Sequence, residues 1–457
     1  MSQDRIKYSA TIPVQGSYDI VVIGGGPSGV AAGVAAGRMG AKVLLVEQFG
    51  AMGGTGTNGG VNAFNPFSDG VRTLVGGIGL EILETAWQRG FLGRRITPGA
   101  PAVGPELWKT GYMRWIPFNA EGIKLLMDEM TAAAGVEVRF FTTLVDVIRD
   151  GNRIDKLILH SREGLFAVAG GCFVDCSGDA NLTAIAGLPW EMGDEQGRTM
   201  PGTLCSHLAN IDLAKYEAFT KTKAFAPTLE KALNEGAFTV WDKHVPGAFF
   251  VGDNWCFLNA GHVFGVKGLD SRDLTRGMIR GRQLAQEFLA FYRKYVPGFE
   301  NAAHITTAPM LGIRETRRVV GEYVLTVDDF LARASFEDEI GRYNNPIDIH
   351  IMSPDKGAYD EYARVYEKSH KLPPGESYGI PYRSLIPKGS VNLMVAGRCM
   401  STDRMLQGST RVMPCCFVTG HAAGAAAALC CERRIRPQEL DAQRLRLVLR
   451  EQEAYIP

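Results

Sequence analysis

Apolar and polar positions mark out the elements of this chain before any composition is counted. Residues 19–23 are an apolar, β-branched run that predicts a strand, and the small residues at 30–37 predict a helix that Gly40 ends. Residues 42–46 predict a second strand, parallel to the first. Residues 136–140, 154–159 and 166–169, with the section around Val145, alternate like strands of a β-meander, and another strand follows at 172–176. From about residue 188 to 390 the pattern becomes mixed helices and loops with clustered aromatics, among them Trp241, Phe249, Phe250, Trp255 and Phe257. Residues 392–396 return to an apolar strand. The most apolar late stretch, 415–431, reads as a buried helix, because it contains Thr419 and His421 and falls short of the roughly 18 residues a membrane span needs.

The segment YDIVVIGGGPSGVAAGVAAGRMGAKVLLVE at 18–47 carries the strongest chemical signal. Gly24, Gly26 and Gly29 complete G-x-G-x-x-G where the first strand turns into the helix, with Pro27 and Ser28 inside the turn. Gly24 allows the tight turn, Gly26 leaves room for a pyrophosphate against the backbone, and Gly29 lets helix and strand pack closely. The helix amino terminus adds N–H groups and a positive dipole end. Glu47 closes the second strand, 23 residues after Gly24, where a carboxylate can accept bonds from ribose hydroxyls, and Gln48 follows it. Strand, loop, helix, strand and acid together predict a Rossmann-type dinucleotide-binding domain.

The residues after Glu47 point to FAD. Instead of another helix the chain runs QFGAMGGTGTNGGVNAF, a glycine-rich loop in which Gly53, Gly54, Thr55, Thr57, Gly59 and Gly60 can wrap a pyrophosphate and reach an isoalloxazine ring. The whole chain has 54 glycines in 457 residues, as close approach to a large cofactor demands. This length predicts two domains.

With downstream blocks the loop resembles FAD-dependent oxidoreductases of the glutathione reductase superfamily, with a flavin domain akin to that of fumarate reductase flavoproteins. The matching blocks are LGIRETRRVVGEYVLTVDDF at 311–330, IDIH at 347–350, YGIPYRSLIPKG at 378–389 and VNLMVAGRCMSTDRMLQGSTRVMPCCFVTGHAAGAAAAL at 391–429, while residues 192–306 match only weakly. The resemblance implies FAD and a hydride-transfer fold, and it gives residues near Val145 backbone contacts to adenine. It also implies that Ser177, Gly178 and Asp179 form a closing turn at the cofactor, and that Gly397 and Arg398 contact phosphate or ribitol. A final helix beginning near Gly420 would aim its N–H groups, those of His421 and Ala423 included, at the flavin pyrimidine. Two roles stay open for Asp179, cofactor contact or N-cap of a helix at 181–186, and for His421, charge tuning or capping. The expected architecture is α/β: a discontinuous FAD domain at 1–187 and 391–432 with parallel sheet plus meander, an inserted α+β substrate domain at 188–390, and a helical tail at 433–457.

Candidate catalytic groups are few. Arg314, in a cluster with Glu315, Arg317 and Arg318, can clamp a substrate carboxylate or belong to a structural ion-pair network. Asp348 and His350, two apart, share a face if they lie on a strand, so His350 is either a carboxylate-oriented general base or a buried, hydrogen-bonded histidine. Tyr382 and Arg383 could reach the pocket from its other side, and His207, His244 and His262 are weaker candidates. No metal-binding constellation emerges, and none of the nine cysteines forms Cys-x-x-Cys; Cys415 and Cys416 read as free thiols.

Lysine plus arginine and aspartate plus glutamate balance at 49 each, which argues against nucleic acid and anionic membranes as partners. Residues 1–15 lack the apolar core of a signal peptide, so the expected compartment is the cytoplasm. The expected function is hydride transfer between a small organic substrate and flavin N5, oxidising a C–H beside a hydroxyl or amine. The alternatives are reduction of an activated C=C bond and a non-catalytic carrier with the same fold. Oxygen, a quinone or a protein carrier would take the electrons, and self-association stays open.

Overall fold

The computed structural model describes residues 6–95, 104–113, 115–365 and 370–457; residues 1–5, the start of the polar segment read for a leader, lie outside them. The apolar run at 19–23 becomes the end of a central strand, Val14–Ile23, flanked on both sides by parallel partners. Ile20 registers with Val43 on one side and with Cys172 on the other. Glu137–Arg139 extends this sheet beyond Val43–Val46, and Leu393–Val395 adds in parallel to the far half of Gly164–Asp175. The near half of that strand pairs antiparallel with Arg153–Ser161, which pairs with Thr143–Asp150, so the predicted meander is present. Helices cover one face of the sheet and the meander its other, which is why the central strand reads as continuous apolar sequence rather than alternation.

Two helices, Pro27–Arg38 and Met413–Arg433, cross against each other over the sheet. A Cβ on Gly420 would lie 2.1 Å from the carbonyl oxygen of Ser28, and one on Gly424 would lie 2.1 Å from that of Ala32. The small residues of both helices therefore serve backbone-to-backbone approach. Met413–Arg433 has the length and hydropathy of a membrane span, yet 89% of its most apolar window is buried within the protein, as in a core helix.

A second, antiparallel sheet runs in the order Ala303–Thr307, Ser206–Ala209, Trp255–Leu258, Ala248–Phe250 and Arg94–Arg95. The 25-residue helix Ser271–Tyr295 packs on it, capped by Asp270, whose side chain accepts from the N–H groups of Arg272 and Asp273. The expected insertion at 188–390 does not keep to one unit. Its later residues, including Tyr343, Tyr378 and Ile386, share a core with Val30 and Phe417, and so do Leu445 and Leu449 of the tail. An apolar face will join whichever core it can reach, and these elements reach the core beneath the parallel sheet.

Candidate active site

The first cavity is built by the glycine turn. Gly24 has φ +101°, and a Cβ there would sit 2.5 Å from the Cys176 carbonyl oxygen of the neighbouring strand. Gly26 differs: its φ is −68°, and a Cβ would meet nothing within 4 Å because it would project into the cavity. Gly26 is the helix N-cap with no side-chain cap and Pro27 follows it, so the first-turn N–H of Ser28, which lines the cavity, is left for a ligand. Glu47 is buried and accepts from the N–H groups of Gly25 at 2.7 Å and Phe49 at 2.8 Å, while desolvation raises its pKa against these bonds.

Gly54 and Thr55 also line the cavity, along with Gln48, Ser177, Gly178 and Asp179. Gly53, Thr57, Gly59 and Gly60 stand back from it and shape the loop: the Thr57 hydroxyl donates to the Met52 carbonyl at 2.5 Å, and a Cβ on Gly59 would lie 2.8 Å from Thr55 Cα. Gly29 likewise packs rather than lines, with Gly24 O only 1.7 Å from its would-be Cβ. Arg398 closes the far side, donating to Gly178 O at 2.9 Å, to Asp179 Oδ1 at 2.6 Å and to Ile313 O. Gly397 turns there with φ +81°, its would-be Cβ 2.4 Å from Ser28 Oγ.

Several expectations are corrected. The carboxyl-terminal core helix starts at Met413, with Val412 as N-cap and proline in the first turn, seven residues before Gly420. Gly420 is thus a mid-helix packing residue and Ala423 a core residue with no exposure. His421 neither caps a helix nor reaches the cavity; it is buried beside Gly77, its Nε2 2.6 Å from Gln452 Oε1. Val145 is 45% exposed, and Thr142, Thr143 and Leu144 line the cavity in its place. The helix Asn181–Ile185 has Ala180 as N-cap, and Ser177 Oγ accepts from the Asn181 N–H, so Asp179 is no cap. It instead accepts from Arg398 and, at 2.6 Å, from Thr316 Oγ1.

A second cavity adjoins the first, for Thr55, Arg398, Arg411 and Met413 line both. Its other walls bring together Arg314, Asp348, His350, His244, Asn259 and Trp115. Tyr382 and Arg383 are not among them. The Tyr382 hydroxyl is buried against the Pro437 carbonyl at 3.0 Å, and Arg383 pairs with Asp338 at 2.9 Å near the surface. Residues 344–351 carry no regular secondary structure, so Asp348 and His350 do not share a strand, yet His350 Nε2 still lies 3.2 Å from Asp348 Oδ2. Arg411, which the sequence reading missed, donates to Asp348 Oδ2 at 2.7 Å and to its carbonyl at 3.0 Å.

The arginine cluster divides. Arg318 and Arg404 both pair with fully buried Glu315, at 2.8 and 3.1 Å, while Arg317 donates to Asp179 O and Asn181 Oδ1 and lies over the Trp190 ring. These are structural ties. Arg314 faces the second cavity, donating to Pro201 O at 2.7 Å and to His244 Nε2 at 3.2 Å. Burial, then the Arg411 charge, brings its pKa down to about 10. Burial, then Arg314, lowers His350 to about 3, and burial first drives His244 well below the usual imidazole range. Burial opposes ionisation of Asp348, but His350, Arg411 and Arg314 outweigh it and hold that carboxyl far below its usual range.

The model of the FAD dependent oxidoreductase family matches residues 19–449. The chain belongs to this family. It is an FAD-dependent oxidoreductase, and the first cavity fits the cofactor on its own geometry: an open position at Gly26, a first-turn N–H at Ser28 with no partner among the described residues, and the Glu47 carboxylate at the strand end. Local similarity extends to the mitochondrial dihydrolipoyl dehydrogenase of Dictyostelium discoideum, 57% identical over 42 residues, 9% of each chain. The dihydrolipoyl dehydrogenase of Trypanosoma brucei brucei is 48% identical over 48 residues, 10% of each. The chain thus matches about a tenth of the length of these curated relatives. Among solved structures, p-nitrophenol 4-monooxygenase PnpA from Pseudomonas putida DLL-E4 aligns over 96% of this chain and 84% of its own, with TM-score 0.49 and 10% identity. A geranylgeranyl bacteriochlorophyll reductase-like protein from Thermoplasma acidophilum aligns over the same shares, with TM-score 0.46 and 14% identity.

Proposed function

We propose that this enzyme oxidises a C–H bond next to a hydroxyl or amine in a small organic substrate held in the second cavity. The observation that carries this reading is the common wall: Thr55, Arg398, Arg411 and Met413 border both the cofactor cleft and a pocket that contains Arg314, Asp348 and His350. FAD, when bound, supplies a hydride acceptor at its N5. The chain's own residues orient the substrate and manage one proton. Arg314 holds a substrate oxygen in a buried setting where solvent screens the contact little, and His350 receives the proton of the hydroxyl or amine. The expected electron outlet is oxygen, a quinone or a protein carrier, and we group the flavin domain with those of fumarate reductase flavoproteins within the glutathione reductase superfamily.

Anaerobic mixing of the holoenzyme with a panel of small alcohols, amines and hydroxy acids tests the proposal. Bleaching of the visible flavin band by one donor class supports it. Reoxidation of pre-reduced enzyme by enones or unsaturated acids, with no donor bleaching it, would reverse the direction and overturn the reading.

A further inference from the structure

Behind the second cavity lies a hydrogen-bonded row that the sequence reading did not assemble. His350 Nδ1 is 2.8 Å from His262 Nε2, and His262 Nδ1 is 3.1 Å from Asp242 Oδ1. His262 and Asp242 are 3% and 7% exposed, whereas the Asp348 side chain, at the other end of the row, is 44% exposed and lines the cavity. The row is therefore Asp242, His262, His350, Asp348, running from the interior to the pocket.

Counting protons fixes its state. Three contacts join these four groups, but two neutral imidazoles bring only two N–H groups. The two facing ring nitrogens at 2.8 Å need a proton between them, since two lone pairs would repel. One carboxylate contact must then lack its proton. Asp348 Oδ2 already takes a charged bond from Arg411. Among the described residues no guanidinium bonds to Asp242; besides the His262 ring, its donors are the backbone N–H groups of His244 and His262 and the Tyr359 hydroxyl. The buried carboxylate with no cation bonded to it has the stronger claim on an imidazole N–H.

Building on the oxidation reading above, we propose that Asp242 and His262 are positioning residues that hold His350 in its Nδ1–H tautomer and leave Nε2 bare at the pocket as the proton acceptor. When the substrate O–H bond breaks, its proton bonds to Nε2. The C–H hydrogen and its electron pair leave as hydride, for which FAD, when bound, would be the acceptor, and the carbonyl forms. The resulting imidazolium donates to both His262 and Asp348, so all three contacts are filled. Asp242 and Asp348 stabilise that charge, Arg314 and Arg411 oppose it, and among the described residues His244 and Tyr359 are further titratable groups facing the row. His350 is lowered to about 3, by burial first and Arg314 next, so it enters the reaction neutral.

Nitrogens of His244, His262 and His350 also lie within 4.8 Å of one another, a spacing a divalent cation could use. Two observations favour the proton relay. Arg314 donates into His244 Nε2, placing a cation at the cluster, and the His244 ring stacks on that of His262 at 4.1 Å and 21° rather than converging with it on a centre.

Histidine-selective 15N NMR of the holoenzyme reads the tautomer directly, with His350 assigned by a His350→Gln difference spectrum. The expected result at neutral pH is a protonated Nδ1 and a bare Nε2. His262→Leu should move the proton to Nε2 and slow anaerobic flavin reduction by about 100-fold or more, with substrate affinity little changed. Asp242→Asn, which reverses the donor at the head of the row, should do the same and serves if His262→Leu does not fold. A wild-type His350 carrying its proton on Nε2, a His262→Leu variant with tautomer and rate unchanged, or one equivalent of tightly bound transition metal in purified protein would each overturn the relay. If no donor bleaches the flavin, the oxidation reading fails, while the NMR result still decides the tautomer.

Discussion

Replacing Gly26 by valine separates cofactor binding from folding. At φ −68° and ψ −177° the backbone is one that valine adopts freely, and its Cβ would meet no protein atom within 4 Å. The N-cap change costs the apoprotein roughly 1 kcal/mol or less. The same two methyls enter the space a dinucleotide phosphate needs. Overpacking costs about 1–3 kcal/mol and a lost charge-assisted hydrogen bond about 1.5–3 more, which amounts to a 10²- to 10⁴-fold loss of FAD affinity at about 1.4 kcal/mol per tenfold. The variant should therefore purify colourless but folded, with apoprotein thermal unfolding close to wild type. Gly29→Val is the control: its Cβ would lie 1.7 Å from Gly24 O, so it should lose the fold itself. Gly26→Val with a wild-type flavin-to-protein ratio would refute the placement of the phosphate at this turn.

Two further outcomes follow from burial. His207 and His421 are each lowered to about 4 by desolvation, so the unfolded chain takes up their protons first and stability is lost as pH falls from about 6.5 toward 4. Each contributes a loss of about 2 kcal/mol at pH 5, and His421→Gln should flatten the pH dependence of the urea midpoint; an unchanged slope would count against the buried neutral imidazole. Gly424→Val places side-chain atoms against backbone of Ala32, 2.1 Å from its carbonyl oxygen, and should abolish the folded state in a thermal melt; wild-type melting would mean the two helices do not touch there.

The Rossmann-type fold was legible where structure is local. Strand, glycine turn, helix and terminal acid lie within 30 residues, and each is set by its own backbone requirement, so pattern alone places Gly24, Gly26 and Glu47. The errors come from positions with two physical uses. Gly420 looks like a helix start, but a glycine also serves close helix crossing, and the proline of VMPCC was the better boundary signal because a first helical turn does not need its N–H. Val145 shows a different weakness: along a strand a shift of one residue changes the face, and Leu144 meets the cavity while Val145 meets solvent.

The catalytic side was far less legible, because loops gather it from distant parts of the chain. Arg314 and Arg318 are both nearly buried arginines four residues apart, and only tertiary neighbours tell them apart. Arg318 has buried Glu315 at 2.8 Å. Arg314 forms no ion pair among the described residues; its hydrogen-bond partners are a carbonyl and an imidazole, both neutral. Desolvating a guanidinium costs several kcal/mol, and a neutral partner returns only part of that. Asp348 is close enough to act on Arg314 through space, yet its carboxylate bonds to Arg411 instead. Arg314 thus has carboxylates near it but none bonded to it among the described residues, and under the proposed reaction a substrate oxygen, gaining negative charge as its proton leaves for His350, is the group that bonds to it.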